Sequence, residues 1–268
     1  MSVPADRGAI EGQINEQRAI VMQTAGATDE TSVRKRGHAL WKLGQDLLQI
    51  GCYDEAAARL GEAAESLWTF TEWRSTAVLA RAQQATALEA GGRDQEAFDL
   101  MSDLIEEIGL DWNEPESPHV MAFVLAQWVG YLPAMDRAEQ VEEVADVILE
   151  RFPTDSTDWQ RLAVGRALRQ KAISRVMEGD WGDALALLDE LVERCPEEQN
   201  DAYRDESLML LVASLTMRGF VLEQLGRTGE AMGSYDDAIR IGANATDPRV
   251  RDMLSDAQEA KTRLASQR

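Results

Sequence analysis

Apolar residues in this chain fall at helical spacing, in pairs of stretches divided by a breaker. Leu40, Leu43 and Leu47 recur at intervals of three and four, Gly51 interrupts them, and Ala56, Leu60 and Ala63 resume the period. Such recurrence marks one face of an α-helix. A glycine between two such faces permits the positive φ that ends a helix in a tight reversal. The same beat returns as Gly92-Arg93-Asp94-x-Glu96-Ala97, Asp136-Arg137-Ala138, Gly179-Asp180-Trp181-x-Asp183-Ala184 and Gly226-x-x-Gly229-Glu230-Ala231. Aligned on Ala56, Ala97, Ala138, Ala184 and Ala231, the units lie 41, 41, 46 and 47 residues apart. Twelve residues earlier stand Gly44, Ala85, Ala126, Ala172 and Gly219, always small, and five earlier stand Gly51, Gly92, Pro133, Gly179 and Gly226, always a breaker. Small side chains at a fixed site let two helices approach closely, so each unit is predicted to be a helical hairpin covered by its neighbour. No alternating β-branched run competes with this reading.

The first unit, Leu40-x-x-Leu43-Gly44-x-x-Leu47-x-x-x-Gly51-x-Tyr53-x-x-Ala56-x-x-x-Leu60-x-x-Ala63, resembles the tetratricopeptide repeat. The last unit, with Leu215, Gly219, Leu222, Gly226, Ala231, Tyr235 and Ala238, is similar. The pitch looks like that of the long-pitch bacterial arrays of this family. Arg81, Gln84, Lys171 and Arg175 depart from it, standing where apolar residues are usual. The resemblance implies an all-α, right-handed superhelical solenoid of about five hairpins whose first helices line a concave groove. By that register the groove offers His38, Trp41, Gln45, Ala82, Thr86, Glu89, Phe123, Gln127, Arg166, Arg169, Thr216, Phe220 and Glu223. The expected organisation is an N-terminal helix and linker over 1–32, the array over 33–246 and a C-terminal capping helix over 247–268. Ile10, Ile14 and Val21 give the first helix its apolar side. Asp247 as N-cap and Pro248 at the first position open the last one. Linkers are expected over Gly109–Pro118, Pro153–Asp158 and Pro196–Asp205, with Thr157 and Gln160 forming a capping box after the second.

Charge narrows the partners. The formal charge is −21, and residues 92–153 carry 15 acids against 3 bases, more than half of that excess. Nucleic acid and anionic membrane are disfavoured, since both would be repelled at long range. A basic protein segment is the natural complement. Cys52 and Cys195 are the only cysteines and show no paired spacing, which suits a reducing compartment. The first 30 residues lack a signal-peptide pattern, and no apolar run is long enough to span a membrane, so a cytoplasmic protein is expected.

Candidate chemistry is sparse. His38 and His119 are the only histidines, with no metal-binding spacing around either, and phosphate loops and nucleophile elbows are missing. Neither metal nor cofactor is therefore expected, and no catalytic residue is assigned. Trp41, one of seven tryptophans, falls on the groove side, where aromatics anchor peptides. Arg161, Arg166, Arg169, Lys171 and Arg175 form the one basic cluster, and two readings are open: Arg166 and Arg169 grip an anion, or the cluster pairs with the acids of unit three. The family's carboxylate clamp is not matched, with Trp41 and Gln45 in unit one and Val120 and Val124 in unit three at its positions. The expected function is non-catalytic binding of a peptide or protein segment, as adaptor or regulator. The alternatives are a sensor of a small molecule or signalling peptide, and a self-associating scaffold that dimerises.

Overall fold

The computed structural model describes residues 7–110, 112, 118–134, 137–152, 157–195, 204–243, 245 and 248–266. Twelve α-helices and one short 3-10 turn, Thr71–Trp73, account for their regular structure, and no strand occurs among them. In chain order the helices are α1 (Arg7–Gln23), α2 (Glu30–Gln49), α3 (Tyr53–Trp68), α4 (Arg74–Ala90), α5 (Asp94–Ile108) and α6 (Pro118–Ala134). Then follow α7 (Ala138–Arg151), α8 (Asp158–Glu178), α9 (Trp181–Arg194), α10 (Arg204–Gln224), α11 (Thr228–Gly242) and α12 (Pro248–Ala265). Five helix–turn–helix pairs thus run between two flanking helices, the all-α repeat architecture expected from the sequence. The Asp247 cap and most of the three linkers lie outside the described residues. The capping box is present at α8, where the Thr157 N–H donates to Gln160 Oε1 at 3.1 Å.

Two compact units divide the chain, Met1–Tyr131 and Leu132–Arg268. In the first, α1 packs on α2, α2 on α3, α3 on α4 and α4 on α5. Helix α6 joins through Trp128, stacked on Phe98 of α5 with ring centroids 5.2 Å apart. In the second, α7 packs on α8, and contacts pass in order through α9, α10, α11 and α12, with α12 also returning to α10. Within each unit the helices pack mainly on their chain neighbours.

One hydrogen bond recurs at every hairpin. The main-chain N–H of Cys52, Arg93, Arg137, Asp180 and Arg227 donates to the carbonyl of Leu47, Leu88, Leu132, Arg175 and Leu222, each at 2.9 Å. This is the six-to-one bond of a Schellman cap, which needs a left-handed residue at the turn. Gly51, Gly92, Gly179 and Gly226 supply it with φ between 72° and 79°.

The third unit corrects the sequence register. Its turn bond runs to Arg137, which is also the N-cap of α7, so Ala138 opens that helix and matches Tyr53, not Ala56. The equivalent of Ala56 is Val141, which is buried. Pro133 does not break the chain; it lies inside α6, one residue before its end. The unit spacing becomes 41, 44, 43 and 47. Val129 then takes the small-residue position and Ala145 the bulky one four residues after Val141, so the two sites exchange size in this unit. The spacing from Pro133 to Ala138 mimicked the breaker-to-alanine pattern three residues too early.

Close approach is real where glycine occupies the small position. A Cβ on Gly44 would sit 2.5 Å from Leu60 Cγ, and one on Gly219 would sit 2.5 Å from the Tyr235 ring. The polar residues at usually apolar sites also find partners. Arg81 lies over the Trp68 ring at 5.6 Å and pairs with Glu107 at 2.9 Å, while Gln84 fills the space beside Gly61. Lys171 pairs with Glu142 and Asp146 of α7 at 3.0 and 2.5 Å, and Arg175 pairs with Glu142 at 3.1 Å.

Glycine-to-alanine changes separate packing from propensity. Gly233→Ala, whose Cβ would meet nothing within 4 Å, gains about 0.5–1 kcal/mol from helix propensity. Gly219→Ala loses about 1–3 kcal/mol, because crowding against Tyr235 outweighs that gain. Urea unfolding of the two variants checks this, and equal midpoints would refute the close approach.

Candidate functional site

First helices of the first unit share one face. On α2 it carries His38, Trp41 and Gln45, on α4 Ala82, Gln83, Thr86 and Glu89, and on α6 Gln127 and Tyr131. A lateral hydrogen-bond ladder ties the three helices. Trp41 Nε1 donates to Gln83 Oε1 at 2.8 Å, and Gln45 Nε2 reaches the same oxygen at 3.4 Å. One repeat on, Gln127 Nε2 donates to Thr86 Oγ1 at 3.4 Å, and the Tyr131 hydroxyl donates to Glu89 Oε2 at 3.0 Å. Gln83 and Gln127 stand 44 residues apart, the corrected spacing of these units, and each bonds back to the preceding helix. Most of these side chains are half-buried.

His38 sits between two indoles, with ring centroids 5.5 Å from Trp41 and 5.7 Å from Trp73. Its Nδ1 is buried without a hydrogen-bond partner. Burial first, then the nearby Lys42 ammonium, holds its pKa below the ordinary histidine range. Phe123 is only 6% exposed, so it packs the interior and is not open to a ligand. Ala82 is likewise fully buried. Gln83 and Tyr131 were not among the residues read from sequence; the recurring amide at the unit spacing was the available signal.

The second unit presents a chemically different face on α8 and α10. Arg166 and Arg169 lie one turn apart on α8. Of the basic cluster, Lys171 and Arg175 are the members that pair with the acids of α7, and Arg161 pairs with Asp158 of its own helix. Arg169 Nε is buried without an acceptor. Burial, then the Arg166 guanidinium, pushes the Arg169 pKa down. On Lys171 burial acts downward too, but the hydrogen bonds from Asp146 and Glu142 outweigh it and raise the pKa. On α10, Phe220 is 41% exposed and stands edge-on to Trp181, with centroids 5.9 Å apart. The Thr216 hydroxyl is turned back on its own helix, donating to Val212 O at 2.9 Å.

Glu223 proves to be a fastening. It accepts from the Tyr235 hydroxyl at 2.5 Å and from Arg263 of α12 at 2.8 and 2.9 Å, joining α10, α11 and α12. Those bonds occupy the carboxylate that the repeat register assigned to a partner. The two thiols are free and differ in setting. Cys52 is exposed at the α3 N-cap, while Cys195 is buried after α9, its pKa pushed up to about 11 by burial. Among the described residues no helix is long and apolar enough to cross a membrane. Nor do they hold a group of three or more His, Cys, Asp or Glu placed to take a metal ion.

No protein-family model matches this chain, and no curated protein matches it either. Among solved structures it is similar to BtubC (BKLC) from P. vanneervenii, 18% identical over 90% of this chain and 94% of that one, with a TM-score of 0.64. The likeness shows a shared helical-repeat fold and nothing more. The TPR2AB domain of yeast Sti1, solved with pHSP90, overlaps 86% of each chain at 16% identity. Its TM-score is 0.34, too low to carry an argument.

The Glu223 fastening has a pH signature. Burial first, then the Glu223 carboxylate, raises the Tyr235 pKa above its ordinary value. A group raised on folding contributes stability that is whole below the unfolded pKa, about 10 for tyrosine, and is lost as pH rises beyond it. Tyr235→Phe should therefore cost about 1–2 kcal/mol at pH 7, and the gap to wild type should narrow above about pH 10. Guanidinium unfolding at pH 7, 9 and 11 measures it; a gap that stays constant would contradict the assignment.

Proposed function

We propose that this protein is a non-catalytic adaptor or regulator that holds a segment of another protein on the faces of its first helices. The hydrogen-bond ladder across α2, α4 and α6 carries this reading. It fixes indole, amide, hydroxyl and carboxylate groups in a row repeating at the pitch of the helices, before any partner arrives. Preorganised polar groups beside an aromatic anchor lower the ordering cost of binding. A polypeptide laid across the row meets donors and acceptors at each helix it crosses. The repeat architecture supports the same conclusion, since stacked hairpins present extended surfaces. The acidic balance of the first unit, from Asp94 to Glu107 on α5, steers basic partners toward it.

A photoreactive phenylalanine tests the placement. Introduced at Gln45 it should yield a covalent adduct with a cellular protein on illumination, while at Glu65, exposed on α3, it should yield none. An adduct at Glu65 alone, or at neither site, would refute the reading.

A further inference from the structure

Arg169 differs from several basic side chains of the second unit. Lys171, Arg175, Arg194 and Arg218 all reach acids, at Asp146, Glu142, Glu190 and Asp189 respectively. Arg169 forms no hydrogen bond or ion pair among the described residues, and its Nε is closed off from water. With 48 acidic residues in the chain, this is not for want of carboxylates. The side chain as a whole is half-buried and Nε is its one closed-off unpaired atom, so the guanidinium keeps donors for an incoming anion.

Its surroundings point to a ligand. Ile173 and Met177 follow on the same face of α8, roughly 6 and 12 Å along at 1.5 Å per residue. Met177 is 84% exposed, and Phe220 stands exposed on α10, which packs against α8. Trp181 supports Phe220 edge-on. Few large apolar side chains are exposed among the described residues, and Met177 on α8 and Phe220 on the adjoining α10 are two of them.

We propose that this face docks an acidic–apolar segment of another protein, a partner carboxylate pairing with Arg169 and a nearby bulky apolar side chain seating on Ile173, Met177 and Phe220. The proposal rests on the reading that first-helix faces take a polypeptide, and it names the chemistry of one of them. Arg166, one turn away, adds positive potential, and α8 carries five bases against two acids. A single carboxylate suits the site better than a phosphate, whose double charge meets more repulsion from a chain of net −21. Methionine adapts to varied apolar side chains. The basic partner suggested by net charge therefore does not extend to this face.

The test is selection of phage-displayed random dodecapeptides on the immobilised full chain. Enriched peptides should carry Asp or Glu within four residues of Leu, Ile, Met or Phe. Their synthetic versions should bind Arg169→Gln and Met177→Ser at least tenfold more weakly than wild type. Met177 is exposed, so its variant folds normally. Peptides lacking acids, or binding Arg169→Gln as well as wild type, would overturn the proposal. Loss of binding on Gln45→Ala instead would place the peptide in the first unit, leaving the adaptor reading intact and this proposal refuted. No enrichment at all would refute both. A concentration-dependent dimer abolished by Phe220→Ser would assign the face to a second copy and likewise refute a foreign partner.

Discussion

Everything in this fold hangs on one main-chain bond made five times. Where an N–H just past each turn donates to a carbonyl five residues back, the first helix stops at a fixed point and the chain reverses within a few residues. That sets the second helix against the first in the four hairpins α2–α3, α4–α5, α8–α9 and α10–α11. The register in turn decides which side chains meet, so glycine at one position and a leucine or tyrosine at another interlock. A helix pair fixed this way has an apolar stripe that it cannot bury alone, and stacking follows from that need. The polar ladder across α2, α4 and α6 follows from the repeat: Gln83 and Gln127 each reach the preceding first helix, Gln83 as acceptor and Gln127 as donor.

Much of this was legible in the residues. Helical spacing, turn glycines and small contact residues gave five hairpins and two flanking helices, because each signal reflects a local steric demand. The third turn was misplaced by three residues, because proline is a helix breaker in general but is tolerated inside α6 near its end, and because an alanine stood at the expected distance. Polar partners were less legible. Lys171 and Arg169 are alike in the sequence, yet one meets two carboxylates and the other none. Only packing decides which way each side chain leaves its helix. Glu223 likewise lies on the predicted groove position, but the flanking α12 brings Arg263 to it. Register assigns a residue to a helix face; the neighbour on that face determines whether the group remains available.

The two units offer different chemistry on equivalent helices. The first holds amides and an indole already engaged with one another, a surface suited to main-chain groups of a bound segment. The second holds the Arg169 guanidinium on α8, with Met177 exposed on the same helix and Phe220 on α10. Stability is given up where these groups stay incompletely satisfied, at His38 Nδ1 and Arg169 Nε, and both lie on first helices.

Hydrogen–deuterium exchange of the full chain, alone and with a bound polypeptide, addresses the claim most directly. Protection should concentrate on first helices such as α2 and α4 or α8 and α10, with α3, α5, α9 and α11 exchanging as they do in the free chain. Protection confined to those second helices, or to the turns between hairpins, would contradict a partner-binding role for the first-helix faces.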